Sequence, residues 1–358
     1  MSSVIGKNIR LSVFGESHGE AIGCVIDGLP SGIKLDMDFI NAEMARRAPG
    51  RHKTSTPRKE ADSPHILSGV LNGVTTGAPL AMMIENTNTK SGDYKDILTV
   101  PRPSHSDYPA YVKFGGNNDI RGGGHFSARL TAPLVFAGAI AKQILADKGI
   151  TIGAHILQVG SVCDTPFDKI AVTADELTAL SKKQFAVVDS AAEDKMCAEI
   201  EKYKKDLNSV GGIIECVAVG LEVGLGGNIF DTVEGRLSQI LFGIPAVKGV
   251  QFGLGFGFAA LGAKEVNDGY EIKDGKVALT SNNNGGVLGG MTNGAPLVLS
   301  VAIKPTPSIA APQNSVNLRT MQNTTLEIKG RHDPCILPRA VPVVESAVAL
   351  GILDIIME

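Results

Sequence analysis

Three histidines stand in loops where a side chain can reach a ligand: His18 in GESHGEA, His105 in PRPSHSDY and His332 in GRHDPC. Imidazole titrates near neutrality, so each can act as a general acid or base. A lone loop histidine is structural more often than not, but three of them, each near Ser, Asp or Arg, point to a site. Asp333 follows His332 and, beside Arg331, is expected to be ionised, as a base or as an arginine's partner.

Arginines accompany these groups. Arg46, Arg47 and Arg51 follow an apolar helical pattern, Arg102 precedes His105, Arg121 and Arg129 bracket the run RGGGHFSARLT, and Arg331 lies near the end. Guanidinium forks match phosphate and carboxylate and stay charged, so this spread suits a ligand with several anionic groups. Consecutive glycines let backbone N–H groups approach a ligand, and a helix N-terminus after them would add donors. The same run also reads as a tight turn with solvated arginines. No H-E-x-x-H, G-x-G-x-x-G or G-x-x-x-x-G-K-[ST] occurs, so the local signs of a zinc protease, a Rossmann site and a P-loop are missing, and no metal is expected.

These residues must be carried by a folded core. With 43% hydrophobic residues, 42 glycines and no tryptophan, the 358-residue chain has a composition of close backbone packing and tight turns, far from that of a disordered chain. Net charge −3 and a pI near 6.2 give no reason to expect a nucleic-acid or membrane partner, so positive charge has to be local. Five scattered cysteines without C-x-x-C fit a reducing cytosol, and the N-terminus shows no apolar signal-peptide core.

Period-two alternation predicts a strand through Ile9, Leu11 and Val13 and a second over 21–26, with Glu16, Ser17 and His18 in the loop between. Further strands are expected at 66–70, 80–84, 213–223, 247–252 and 297–303. Helices are expected after Asp36 as N-cap, at 130–145 with Pro133 in the first turn, at 233–242, and after two capping boxes, Thr173 with Glu176 and Ser190 with Glu193. The apolar run 341–357 carries Pro342, Glu345 and Asp354 and reads as a buried helix. Segments 51–64 and 86–103 read as long binding loops. The mixture argues for an α+β fold.

The blocks GESHGEAIGCVIDGLP (15–30), PRPSHSDY (101–108), GGGHFSARLTAPLVFAGAI (122–140), LGGMTNGAPL (288–297), KPTPSI (304–309) and GRHDPCILPRAVPVVESA (330–347) closely resemble the signature blocks of the chorismate synthase family, in the family's order. The resemblance is weakest around 165–208. It implies a single large domain over 1–358 with the family's β-α-β sandwich, long active-site loops near 50–64 and 86–125, and a cytoplasmic homotetramer. It also implies a shikimate-pathway lyase, which converts 5-enolpyruvylshikimate 3-phosphate to chorismate by 1,4-elimination of phosphate. Reduced FMN would be required without net redox change, supplied by an external flavin reductase or other reductant.

Carried over by position, the resemblance makes His18 the acid at the departing phosphate, His105 the histidine that protonates or steadies the reduced flavin, and Asp333 the proton acceptor near flavin N5. Arg46, Arg47 and Arg51 would hold substrate, with Arg102 and Arg129 lending charge. His125, Phe126, Ser127, Ala246, Gly289, Lys304, Pro305, Thr306, Pro307, Ser308 and Arg331 match the flavin contacts. Three places depart from the family pattern: His125-Phe126 replaces Arg or Ala followed by Ser, Ser104 replaces a common glycine before His105, and Ala48 interrupts what is often a longer arginine run. Without the resemblance, the same residues would also allow a metal-assisted phosphohydrolase using His18, His105 and Asp333, or a phosphometabolite-binding module.

Overall fold

The computed structural model describes residues 3–50, 52, 54, 62–87, 99–328 and 333–358. Its helices are α1 (Met37–Arg47), α2 (Asp107–Phe114), α3 (Thr131–Ala146), α4 (Ala174–Ser181), α5 (Ser190–Lys205), α6 (Val233–Gly243), α7 (Ala263–Val266) and α8 (Leu337–Ile356). Two five-stranded antiparallel sheets enclose a helical layer. One sheet runs in the order Val4–Ile5, Arg10–Gly15, Ala21–Asp27, Leu80–Glu85, His65–Ser68. The other runs Val247–Phe252, Leu297–Ile303, Gly212–Val219, Thr151–Val159, Val162–Cys163. Between them α3 packs on α8, with α1 and α6 alongside. This is a single-domain β-α-β sandwich, as expected.

α3 and α8 are apolar nearly all round because both are enclosed. They approach closely at Gly138, where a Cβ would stand 2.2 Å from that of Ser346. The segment Ala128–Ala146, which contains α3, is long and apolar enough to cross a membrane by composition, but 83% of its apolar window is buried inside the fold. Four charges are buried in the same layer. Arg46 donates to Glu345 at 2.6 and 2.9 Å and to Glu43 at 2.8 Å, and Lys142 reaches Glu43 at 2.6 Å and Glu345 at 2.5 Å. Burial alone would raise the Glu345 carboxyl, but the two cations outweigh it and hold the group low.

The sequence reading departs from the fold in three places. The stretch 86–125, expected as loop, contains α2, which ends at Gly115 in the left-handed region. Ser190 is not an N-cap: Asp189 is, accepting from the Ala191 N–H, so only the Thr173–Glu176 capping box forms. Finally, the glycine run does not open a helix. Gly122, Gly123 and Gly124 have φ of 61, 89 and 53°, a left-handed bend that glycine alone adopts without strain, and a short 3-10 turn, Ala128–Leu130, precedes α3.

Candidate active site

The loop Glu16–Glu20 joins two antiparallel strands, and its position is fixed from both sides. Ser17 N–H donates to Gly124 O at 3.1 Å, while the Asn86 amide donates to the carbonyls of Glu16 and Gly19, each at 3.0 Å. Asn86 Oδ1 in turn accepts from Arg129 Nε at 2.8 Å. His18, 7% exposed, is thereby held against the glycine bend. A Cβ on Gly122 would stand 2.4 Å from His18 Cδ2 and 2.7 Å from Nε2; one on Gly123 would stand 3.3 Å from His105 Nε2. The bend brings two histidines from separate loops together, and side chains at 122 or 123 would push them away.

His105 precedes α2 and is held by that helix's first residue. Its Nδ1 lies 2.6 Å from Asp107 Oδ1, and Arg102 clamps the same carboxylate through Nε at 2.7 Å and Nη2 at 2.8 Å. Arg102 Nη1 also reaches Ser308 Oγ at 3.2 Å. Burial would raise Asp107, but the hydrogen bonds from Arg102 and His105 win and keep it ionised well below the usual carboxylate range. Ser104, just before His105, has a φ of 58°, which accounts for a glycine being suited to this position.

A second polar cluster gathers at the C-terminal end of α1. Arg47, almost wholly buried, donates to Thr131 Oγ1 at 3.1 Å, Ala128 O at 2.8 Å and Asp62 Oδ2 at 2.9 Å. Arg129 takes the other oxygen, Asp62 Oδ1, at 2.5 Å. Arg339 donates to Asp333 at 2.5 Å and to the carbonyl of Arg47 at 3.1 Å. Burial and the neighbouring guanidinium of Arg339 bring the Arg47 pKa down to about 10, against the pull of Asp62. Burial would raise Asp62, yet Arg47 and Arg129 keep it low. Among the described residues, Arg47, Arg129 and Arg339 meet the carboxylates of Asp62 and Asp333 at this end of the cleft.

Both clusters line one cleft of about 610 Å³. Ser17, His18, His105, Gly122, Arg47, Arg102, Arg129, Asp333 and Arg339 contribute to its walls, together with His125, Phe126, Ser127, Ala246, Lys304, Thr306, Pro307 and Ser308. Thr306 Oγ1 donates to Asp333 O at 3.0 Å, and Lys304 reaches Ser104 O, so the 304–308 loop ties the walls together.

Several expected residues are placed elsewhere. Arg46 does not line the cleft: it is directed into the buried cluster with Glu43 and Glu345, about a third of a helical turn from Arg47. Gly289 and Pro305 are not on the cleft walls, Gly289 lying in the tight turn between Val287–Leu288 and Met291–Thr292. Arg121 is exposed and spends its fork on Asp119 at 2.8 and 2.9 Å, so it is no anion holder. His125 does stand on the cleft wall, but its ring nitrogens are engaged with Gly15 O and Ser3 Oγ, at 2.8 and 2.7 Å, so it pins the strand Arg10–Gly15. Arg51, Arg331 and His332 lie outside the described residues.

Three site residues were not anticipated from the sequence: Asp62, Asp107 and Arg339. Only Asp107, two residues after His105, offered a local cue. The metal alternative finds no support at the cleft, where His105 meets its carboxylate through Nδ1 and Asp333 is bound to Arg339. Among the described residues, one group has metal-ligand spacing, His52, Glu193 and Cys197. There His52 Nδ1 lies 2.8 Å from Thr54 Oγ1, and Nε2 stands 3.5 Å from Glu193 Oε1, a direct contact between the two side chains.

Residues 9–357 match the family model described as chorismate synthase. The chain is 48% identical over 349 residues to a chorismate synthase of Thermococcus kodakarensis, covering 98% of this chain and 96% of the relative. It is 44% identical over 355 residues to one of Dehalococcoides mccartyi, covering 99% and 96%. A solved structure titled "Crystal Structure of Chorismate Synthase" superposes with a TM-score of 0.75 at 27% identity, covering 98% of this chain and 92% of that one.

Proposed function

Because the chain belongs to the chorismate synthase family, we propose that it is a shikimate-pathway lyase acting on 5-enolpyruvylshikimate 3-phosphate, releasing phosphate by 1,4-elimination with reduced FMN bound. One observation carries the reading: two histidines rest against neighbouring glycines of a single bend, in a cleft whose other walls hold four arginines. The substrate carries a phosphate and two carboxylates, which matches that charge. We read the working form as a cytoplasmic homotetramer supplied with reduced flavin by an external flavin reductase or reductant.

The cleft fits a flavin nucleotide as well as substrate. Its volume is within the roughly 300–1,000 Å³ of small-molecule sites. Phe126 and Ala246 offer apolar surface, Ser127, Thr306 and Ser308 offer hydroxyls, and Lys304 offers a cation for a phosphate. Bound there, reduced FMN would supply the electron density that stabilises an electron-poor allylic centre. His18 holds a proton for the leaving phosphate, whose departure is easier once its charge is offset. Arg47, Arg129 and Arg339 act as fixed positive charge toward the substrate's anionic groups. His105 steadies the flavin's anionic edge, and Asp333, fixed by Arg339, accepts a proton at its carboxylate. Elimination removes phosphate and one proton and forms one double bond, so no net oxidant is consumed.

The test is an anaerobic assay with substrate and photoreduced FMN. Catalytic phosphate release that survives chelator treatment supports the reading. Activity lost to the chelator and restored by metal, without need of flavin, would make the protein a metal-assisted phosphohydrolase instead. Binding without turnover would make it a phosphometabolite-binding module.

A further inference from the structure

We propose that Asp107 is a positioning residue that fixes the tautomer of His105, so that only Nε2 faces the cleft. This deepens the proposed function and rests on it for its chemical consequence, though not for its geometry. Asp107 is buried at 6% exposure, and its two oxygens are fully engaged. Oδ2 accepts from Arg102 N at 3.0 Å and Nε at 2.7 Å; Oδ1 accepts from Arg102 Nη2 at 2.8 Å and meets His105 Nδ1 at 2.6 Å. A carboxylate clamped by a guanidinium fork is ionised, and an ionised carboxylate only accepts. A 2.6 Å contact between it and an imidazole nitrogen therefore requires that nitrogen to carry the proton.

Arg102 Nη2 also lies 3.1 Å from His105 Nδ1, but both are then donors aimed at the same Asp107 oxygen, so no bond joins them. Ser106 Oγ, at 3.4 Å, is too distant to compete. With Nδ1 committed, the neutral ring has its lone pair on Nε2, the atom 3.3 Å from where a Gly123 Cβ would be. Whatever occupies the cleft meets an acceptor when the ring is neutral and a donor when it is charged, always at that one atom. Among the described residues, the charged groups that contact His105 are Asp107 and Arg102, with Lys304 reaching the carbonyl of Ser104 from the 304–308 loop. Because Arg102 offsets the charge of Asp107, the pair contributes orientation more than field.

The experiment uses the full chain without ligand, labelled with 15N-histidine and observed by magic-angle-spinning NMR, with His105 assigned by its disappearance in His105→Gln. The neutral His105 ring should show a protonated Nδ1 and an unprotonated Nε2. In Asp107→Asn the amide can turn to donate to Nδ1, and the preference should fall by roughly tenfold or more; Asp107→Glu, which keeps an acceptor, should retain the wild-type tautomer. A wild-type ring protonated on Nε2 overturns the proposal without any variant, and so does an Asn variant that folds with an unchanged tautomer. As a second readout, the pH profile of turnover should be displaced in the Asn variant and restored in the Glu variant. If the tautomers behave as expected while no turnover is found with reduced FMN, the function proposed above fails and the positioning role of Asp107 stands.

Discussion

Gly122→Ala isolates what the glycine bend does. The perturbation has two parts. An L-residue at a φ of 61° costs about 1–2 kcal/mol of backbone strain. In addition, the new Cβ would stand 2.4 Å from His18 Cδ2, where ordinary contact begins near 3.4 Å, so the ring must retreat by about 1 Å. Gly149→Ala supplies the control, because Gly149 has a φ of 73° and nothing within 4 Å of its Cβ position. Gly149→Ala reports the backbone strain alone, so Gly122→Ala should lose at least as much stability by thermal or denaturant unfolding, the difference being the cost of the clash. Only Gly122→Ala should lose turnover, by roughly 100-fold, the usual cost of displacing a catalytic group by 1 Å. Gly123→Ala lies between them: its Cβ would be 3.3 Å from His105 Nε2, a contact that a shift of a few tenths of an ångström relieves. Phosphate release would be followed anaerobically with photoreduced FMN, separating kcat from KM. If Gly122→Ala turns over within about threefold of Gly149→Ala, the bend does not position His18, and the histidine assignment loses its structural basis.

Arg46→Ala should behave as a core lesion, destabilising by about 3–5 kcal/mol because it leaves the buried carboxylates of Glu345 and Glu43 with Lys142 as their one remaining cation among the described residues, while the folded fraction binds FMN like wild type in a fluorescence titration. A raised substrate KM with unchanged stability would instead return Arg46 to the substrate site. Gly138→Val should lower the unfolding temperature without touching the cleft, since its Cβ would meet Ser346 at 2.2 Å. The Asp62 carboxyl is held low by Arg47 and Arg129, so its stabilisation is complete above the ordinary carboxylate value near 3.8 and is lost as pH falls toward its folded value. Asp62→Asn should therefore be less stable than wild type at neutral pH and show a flatter loss on acidification. His155 has the opposite sign. Burial opposes its charge, but Asp164 and Glu215, each at 2.9 Å, raise its pKa, so its stabilisation is complete below about 6.5 and is lost as pH rises through the folded value. Chemical unfolding at a series of pH values should show that decline in wild type and not in His155→Gln.

Much of the sandwich was legible because its signals are local. Alternation at Ile9, Leu11 and Val13, the Asp36 cap on Phe39 N–H, and the apolar face of α3 each depend on residues within a few positions. The site was legible only where the family blocks carried it, because its pairings are long-range. Arg46 and Arg47 are indistinguishable as a dipeptide. One faces Glu345, 299 residues away, and the other faces Asp62, whose second partner is Arg129, 67 residues further on. Arg121 is a different failure: Asp119 sits two residues before it, and the pair could have been read as self-contained. From sequence the glycine run reads as an anion cradle because a helical pattern follows it. Its φ values, which composition does not encode, make it a close-contact surface for two histidines.

The arginines of the cleft share one property that bears on how it handles charge. Arg47 has Nε and both Nη atoms bonded to Thr131, Asp62 and Ala128, and Arg102 has all three nitrogens bonded to Asp107 and Ser308. Arg129 is fixed by Asn86 and Asp62, and Arg339 by Asp333 and the carbonyl of Arg47. Each guanidinium is thus held in place by the protein before any ligand arrives, so binding need not order a side chain that carries about 2 kcal/mol of rotamer entropy. The cost appears at Arg47, which burial first and then the neighbouring Arg339 and Arg129 guanidiniums push down to about 10 against the pull of Asp62. An anionic ligand relieves the remaining repulsion. Inorganic phosphate should therefore raise the unfolding temperature by mass action, and an anionic group in the cleft would meet guanidiniums already in place, without reorganisation.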